Sequence, residues 1–159
     1  MSIMKKLFAA IAAVLLFGAC GGGGNGKFNY RGLSMELPYH VFCDSLRARG
    51  FAVDSAKGGD NFVVMTDSTV DYTVLVAYKD DKLTAVKEDH TAASNDSTRQ
   101  LWQQYRDQFE KELGAWPDCP VLKDDYKIAR FDARTGFITV TLKNTYTPTM
   151  SILYVPAAE

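Results

Sequence analysis

The segment Tyr72-Thr73-Val74-Leu75-Val76-Ala77-Tyr78 decides the fold of this chain. Its β-branched and aromatic residues favour a strand, and its alternate positions form two faces. Four polar residues, 79–82, follow it, and a second apolar segment at 83–88 returns. This pattern predicts an antiparallel β-hairpin, and the short turns elsewhere predict further antiparallel pairs.

Two helices are predicted outside this hairpin. The segment 97–113 has an apolar residue at every third or fourth position, and Ser97 with Gln100 fits a capping box at its start. A shorter helix is predicted at 38–49, between Pro38 and Gly50. The apolar stripe of the longer helix consists of Trp102, Tyr105, Phe109, Leu113 and Trp116.

The order of the predicted elements is (β)αββββαβββ, a helix followed by three or four strands, twice. We therefore predict an α+β fold: a single two-layer domain with two helices on one face of an antiparallel sheet. The two halves suggest a weak internal duplication. The strands are predicted at 28–33, 51–53, 62–66, 72–78, 83–88, 126–131, 137–143 and 150–155.

The N-terminal segment has the pattern of an export signal. Lys5 and Lys6 precede an uncharged apolar run at 7–19. As a helix this run would extend ~20 Å, short of the ~30 Å hydrocarbon core of a membrane, which favours a cleaved signal over a membrane span. We predict a signal peptide at 1–19, a glycine-rich tether at 20–27 and one domain at 28–159.

The sequence Leu16-Phe17-Gly18-Ala19-Cys20 resembles the lipobox of bacterial lipoproteins. The resemblance implies that Cys20 receives a diacylglycerol and becomes the first residue of the mature chain, anchored to a membrane. Phe17 departs from the aliphatic residue usual at its position. The alternative is an ordinary cleaved signal peptide with an unmodified cysteine near the cleavage site.

Charge and cysteine content limit the remaining possibilities. Without residues 1–19 the chain has 16 basic and 19 acidic side chains and no basic patch with interleaved aromatics, which argues against nucleic-acid binding. Cys43 and Cys119 form an even pair in an exported protein, which leaves open either a disulfide or two buried free thiols. A bridge would close a long loop and stabilise the fold by ~4 kcal/mol.

Two further segments resemble a pattern of small exported proteins and lipoproteins of Gram-negative gut-type bacteria. One is Tyr30-Arg31-Gly32-Leu33-Ser34-Met35 with Val41-Phe42, Leu46 and Arg49-Gly50-Phe51, and the other is Leu101-Trp102 with Tyr105, Phe109, Leu113-Gly114 and Trp116-Pro117. The resemblance implies a tandem helix-plus-sheet module, similar to β-lactamase-inhibitor-like or outer-membrane-assembly lipoprotein folds. It implies no activity and no site residue.

Motifs for chemistry are scarce. His40 and His90 lack a second ligand at metal spacing, no Gly-x-Ser-x-Gly elbow exists, and no cofactor or metal is predicted. Tyr72, Tyr78 and His90 are the candidate ligand-binding residues, if their strand face is not covered by the helices. Glu88-Asp89-His90 is interpreted first as a solvated strand end.

We interpret the chain as a non-enzymatic, lipid-anchored protein of the bacterial cell envelope, on the periplasmic face or the outer membrane. It would bind another envelope protein through an open sheet face or edge. One alternative is a small-ligand-binding protein or hydrolase with a site near Asp89 and His90. Another is an inhibitor of a secreted enzyme, acting through loops 79–82 or 133–136.

Overall fold

The structure is a computed structural model that describes residues 28–158. In this range the chain forms two helices, α1 (Tyr39–Ala48) and α2 (Asn95–Leu113), and ten strands. Neither helix is long and apolar enough to cross a membrane. Cys20, the signal and the tether lie outside the described residues.

The strands form one small hairpin and one large sheet. Strands β1 and β2 make the hairpin, and the other eight make a wholly antiparallel sheet in the order β3-β4-β5-β6-β10-β9-β8-β7. The strand bounds are β1 Asn29–Tyr30, β2 Leu33–Ser34, β3 Ala52–Val53, β4 Phe62–Thr66, β5 Tyr72–Lys79, β6 Lys82–Thr91, β7 Asp118–Lys123, β8 Tyr126–Ala133, β9 Gly136–Lys143 and β10 Thr149–Pro156.

The large sheet consists of two halves with the same organisation. Helix α1 is followed by β3–β6, helix α2 is followed by β7–β10, and the last strand of each half pairs with the other at the centre. The predicted α+β class is confirmed. The sequence missed β7 because Pro120 lies inside it, and proline is tolerated there since β7 is an edge strand.

One face of the large sheet is covered by both helices and by the β1–β2 hairpin. Residues of β4–β6 and β8–β10 that point to this face are buried against Phe42 and Leu46 of α1 and Trp102 and Phe109 of α2. The indole N–H of Trp102 donates to the carbonyl oxygen of Val140 at 3.0 Å. The buried sheet residues on this face are Met65, Val74, Val76, Val86, Ala129, Phe131, Ile138, Val140, Leu142, Met150, Ile152 and Tyr154.

Helix α2 begins earlier and has a shorter apolar stripe than predicted. Ser94, not Ser97, is the N-cap: its side-chain oxygen accepts a hydrogen bond from the backbone N–H of Ser97 at 3.1 Å. Gly114, at φ +63°, ends the helix in a left-handed cap. Trp116 therefore lies beyond the helix and is 81% exposed, so it does not extend the stripe.

The N-terminus of helix α1 is held by a distant turn. Pro38 precedes the helix and provides no side-chain cap. The carbonyl of Asp81, in the β5–β6 turn, accepts from the backbone N–H of Tyr39 at 2.8 Å, and the Asp81 carboxylate accepts from the backbone N–H of His40 at 3.2 Å. The imidazole Nδ1 of His40 lies 2.8 Å from the same carboxylate.

Cys43 and Cys119 are both free thiols in the structure. Cys43 is buried on α1, which belongs to the first half, whereas Cys119 lies on β7 at the far edge of the second half. The disulfide that the sequence left open is therefore not formed in this structure. Burial raises the pKa of the Cys43 thiol.

Candidate functional site

A buried carboxylate, Glu88, lies at the centre of the covered face. Its side chain is completely buried in β6, next to the strand pair that joins the two halves. It accepts hydrogen bonds from the hydroxyl of Tyr30 at 2.6 Å, from Nη2 of Arg31 at 2.9 Å and from Nε2 of His90 at 2.8 Å. Nε of Arg31 also donates to Glu88, to the Oε1 atom that accepts from the Tyr30 hydroxyl. Tyr30, Arg31 and His90 are therefore all hydrogen-bonded to Glu88.

Local sequence explains how these groups meet. Residues 86, 88 and 90 alternate along β6, so Glu88 and His90 both point to the covered face. Arg31 and Gly32 form the turn of the β1–β2 hairpin with φ of +46° and +82°. Such a turn matches the right-handed twist of the flanking strands, and it places Arg31 over the sheet beside Tyr30.

The electrostatics of the group follow from burial and from the Arg31 charge. Burial opposes ionisation of Glu88, but the hydrogen bonds from Arg31 and His90 and the Arg31 charge outweigh it and lower the pKa of Glu88 to about 2. Burial and the adjacent Glu88 carboxylate raise the pKa of Tyr30. Burial opposes the charge on Arg31 as well, but Glu88 overcomes this effect and raises the pKa of Arg31. The Arg31–Glu88 pair is therefore ionised at neutral pH.

A shallow cleft of about 600 Å³ adjoins this group, between α2 and the ends of β5 and β6. The ring of His90 lies between two tyrosines, 4.8 Å from the ring of Tyr72 and 5.4 Å from that of Tyr105. Arg31 reaches both tyrosines: its guanidinium lies 4.8 Å from the centre of the Tyr72 ring, and its Nη2 donates to the hydroxyl of Tyr105 at 2.8 Å.

Two of the predicted ligand-binding residues meet in this cleft and the others do not. Tyr72 and His90 pair across β5 and β6 and both line the cleft. Tyr78 lies at the other end of β5, where it stacks on Tyr39 with ring centres 3.7 Å apart. Asp89 points to the opposite face of the sheet from His90 and pairs with Lys87 at 2.8 Å.

Sequence reasoning did not assign Tyr30, Arg31 or Tyr105 to this site. Its interpretation of Glu88-Asp89-His90 as a solvated strand end is wrong for Glu88 and His90, which are both buried. A glutamate at the same strand face as Val86 is a signal that could have been noticed, since an acid at a core position needs a partner. Its partner Arg31 is 57 residues away in sequence, and nothing in the local pattern connects the two.

The other face of the large sheet, here called the uncovered face, has no helix on it within residues 28–158. Its side chains are mostly partly exposed, and apolar, hydroxyl and charged groups are mixed. Its charged residues pair along single strands, Lys87 with Asp89 at 2.8 Å and Arg130 with Asp132 at 2.9 Å. The uncovered face includes Leu75, Ala77, Lys87, Asp89, Arg130, Phe137, Thr139, Ser151, Leu153 and Val155.

The described chain begins at the end of the sheet opposite to the cleft. The ring of Phe28 packs against Tyr154 and lies close to Gly136, near the end of β10 and the start of β9. The cleft includes Thr91, which pairs with Thr149 at the start of β10. Phe28 and the cleft therefore lie at opposite ends of the sheet.

Comparison of the chain with known proteins found no matching family model, no matching curated protein and no matching solved structure. The resemblance to small exported lipoproteins stays a prediction.

Proposed function

We propose that this chain is a lipid-anchored protein of the bacterial cell envelope that binds another envelope protein through its uncovered sheet face. One observation carries the proposal. The helices cover only one side of an eight-stranded sheet, yet the other side presents Leu75, Phe137, Leu153 and Val155, all partly exposed. Partly exposed apolar side chains set among polar ones are common at protein-interaction surfaces.

The dimensions of the uncovered face suit such a role. Eight strands at ~4.8 Å spacing, with central strands of eight to ten residues, extend over about 35 Å by about 25 Å. This is close to the ~800 Å² that each partner contributes to a stable protein interface. A partner could therefore bind without any change in the fold.

The charges of the uncovered face favour a partner surface that is apolar and close to neutral. Lys87 and Arg130 are each paired with an acid on the same strand, so these four side chains carry no net charge. The guanidinium of Arg130 also lies 3.9 Å from the centre of the Phe137 ring. Complementary packing and hydrogen bonds to hydroxyl groups, rather than long-range charge attraction, would determine recognition.

The anchor is supported by the sequence. Cys20 follows the lipobox-like residues, and 20–27 is rich in glycine. Stable anchoring takes more than one acyl chain, which the lipoprotein modification would supply.

Two matched substitutions test the binding surface. Leu153→Glu places a charge in the middle of the uncovered face, whereas Leu113→Glu places it on the partly exposed end of α2. With both variants folded, as judged by circular dichroism, we expect Leu153→Glu to abolish co-isolation of the envelope partner and Leu113→Glu to preserve it. Equal recovery with both variants would remove the uncovered face from the proposal.

The anchor is tested separately by membrane fractionation. Cys20→Ala should move the protein from the membrane fraction to the soluble fraction, because the acceptor for the lipid is lost. A variant that still sediments with membranes would show that Cys20 is not the point of attachment.

A further inference from the structure

Trp116 carries an exposed indole that neither the uncovered face nor the cleft includes. It is 81% exposed, and apart from Tyr146, at 98%, no other large apolar side chain in residues 28–158 exceeds 63%. Its ring N–H makes no hydrogen bond within the same range. So large an apolar surface is unfavourable in water, whereas tryptophan is stabilised where an apolar layer meets a wet one.

The backbone on both sides of Trp116 fixes its place. Gly114 ends α2, and its backbone N–H donates to the carbonyl oxygen of Glu110 at 3.0 Å. Pro117 restricts the residue before it to extended conformations, and β7 begins at Asp118. The indole therefore lies on a short connection between a capped helix and a strand.

Trp116 lies at the same end of the domain as Phe28. Strand β7 runs away from this end, since its first residue, Asp118, pairs with Arg130, three residues before the end of β8. Phe28 lies close to Gly136, which pairs with the last residue of β8. The connection that holds Trp116 therefore precedes β7 on the Phe28 side.

The proposed lipid anchor places this end nearer to the membrane, and the inference rests on that anchor. Eight residues, 20–27, precede Phe28. A glycine-rich chain of this length averages ~16 Å from end to end and cannot exceed ~29 Å. Tyr146 lies in the connection before β10, so it is separated from the Phe28 end by the length of that strand, eight residues or ~26 Å. At its average length the tether would keep the Phe28 end closer to the acyl chains than the Tyr146 end.

The charges beside Trp116 balance one another. The indole borders a shallow hollow of about 410 Å³ together with Arg106, Asp107, Glu110 and Lys111. Arg106 pairs with both acids, at 3.1 Å and 3.4 Å. Two positive and two negative side chains give no net attraction to an anionic surface, so the indole rather than charge would determine the contact. A zwitterionic lipid surface fits this balance.

We propose that Trp116 inserts into the head-group layer of the membrane that holds the anchor. The C-terminal end of α2 then lies against a zwitterionic lipid surface. The ring packs against the upper part of the acyl chains, and its N–H donates to a phosphate or carbonyl oxygen of the lipid, as tryptophans do at membrane interfaces. Tyr146 lies on the side of the domain that points away from the membrane.

The test measures tryptophan fluorescence of the lipidated full chain in phosphatidylcholine vesicles, with and without bromine on the acyl chains. Bromine quenches only those tryptophans that contact the lipid. The chain has two tryptophans, and Trp102 is 2% exposed, so the difference between wild type and Trp116→Phe reports Trp116. We expect brominated lipid to remove most of the Trp116 emission, and the vesicles to protect this emission from iodide in the surrounding water.

A matched variant, Trp116→Phe with Tyr146→Trp, moves the exposed indole to the opposite end of the sheet. Its added emission should be quenched by iodide and not by brominated lipid. If the protein floats with the vesicles, the anchor stands, and the membrane contact is overturned when bromine does not quench Trp116 or quenches the indole at position 146 equally. Protection of Trp116 from iodide without quenching by bromine also overturns it, because the indole is then covered by protein. Lipidated protein that does not float with the vesicles overturns the anchor and the contact together.

Discussion

The guanidinium of Arg31 forms two parallel hydrogen bonds with the carboxylate of Glu88, whose side chain is completely buried. Such bidentate pairs combine charge with fixed geometry. The pair connects the β1–β2 hairpin, where the described chain begins, to the central strand β6. The hydroxyl of Tyr30 and the ring of His90 complete the coordination of the carboxylate.

The first prediction concerns Glu88→Gln. The substitution keeps the shape of the side chain but leaves Arg31 without its counter-charge. Breaking a fully buried pair costs about 3–5 kcal/mol, and we expect the low end of this range, about 3 kcal/mol, because the Arg31 side chain is 36% exposed. We expect the free energy of unfolding in urea to fall by this amount. The matched control is Glu110→Gln, which removes a surface pair with Arg106 and should change stability by less than about 1 kcal/mol. Similar losses for both variants would contradict a structural role for the buried pair.

The second prediction is the pH dependence of that stability. The pKa of Glu88 is lowered from 4.5 to about 2. The ionised carboxylate therefore stabilises the fold fully above pH 4.5, and this stabilisation is lost as the pH falls from 4.5 towards 2. Urea unfolding between pH 6 and pH 2 should show the wild type losing on the order of 3 kcal/mol more than Glu88→Gln. If the free energy of unfolding falls equally with pH in both proteins, Glu88 does not titrate between pH 4.5 and pH 2.

The third prediction concerns the turn that holds helix α1. Asp81→Ala removes the carboxylate that accepts from the backbone N–H of His40, so this amide should exchange its hydrogen faster. Asp80→Ala is the matched control, because Asp80 is also an aspartate with positive φ in the same turn and makes no side-chain hydrogen bond within residues 28–158. If the His40 amide exchanges equally faster in both variants, the faster exchange comes from a changed turn conformation and not from loss of the Asp81 carboxylate.

The fourth prediction concerns the thiols. Cys119 is partly exposed, whereas Cys43 is buried and burial raises its pKa, so the thiolate needed for reaction is scarce. In Cys20→Ala protein, a thiol reagent should modify Cys119 rapidly and Cys43 only after unfolding. Mass analysis that finds two hydrogens missing and no reactive thiol would show a disulfide between them.

Alternating and helical patterns were sufficient for the α+β class. The Tyr72–Tyr78 segment is a strand because its residues favour one, and Trp102 with Phe109 identifies the buried side of α2. The start of helix α2 was harder to predict, because two residues fit the same capping role. Ser94 and Ser97 both suit an N-cap, and only the path of the chain after β6 decides for Ser94.

The site was only partly predictable, because its members come from distant segments. Tyr72 and Tyr78 lie on the same strand face and have the same local signal. Their neighbours differ: Tyr72 meets His90, whereas Tyr78 stacks on Tyr39 of α1. Glu88 is paired with Arg31 of the β1–β2 hairpin. The residue pattern of neither segment predicts this contact.

The most direct test of the central claim is site-specific photo-cross-linking in intact cells. A photoreactive residue is placed at Leu153 on the uncovered face and, in a separate protein, at Leu113 on α2. We predict that Leu153 gives a discrete adduct with one envelope protein and that Leu113 gives none. An adduct from Leu113 alone, or no adduct from Leu153, would contradict the assignment of the uncovered face as the binding surface.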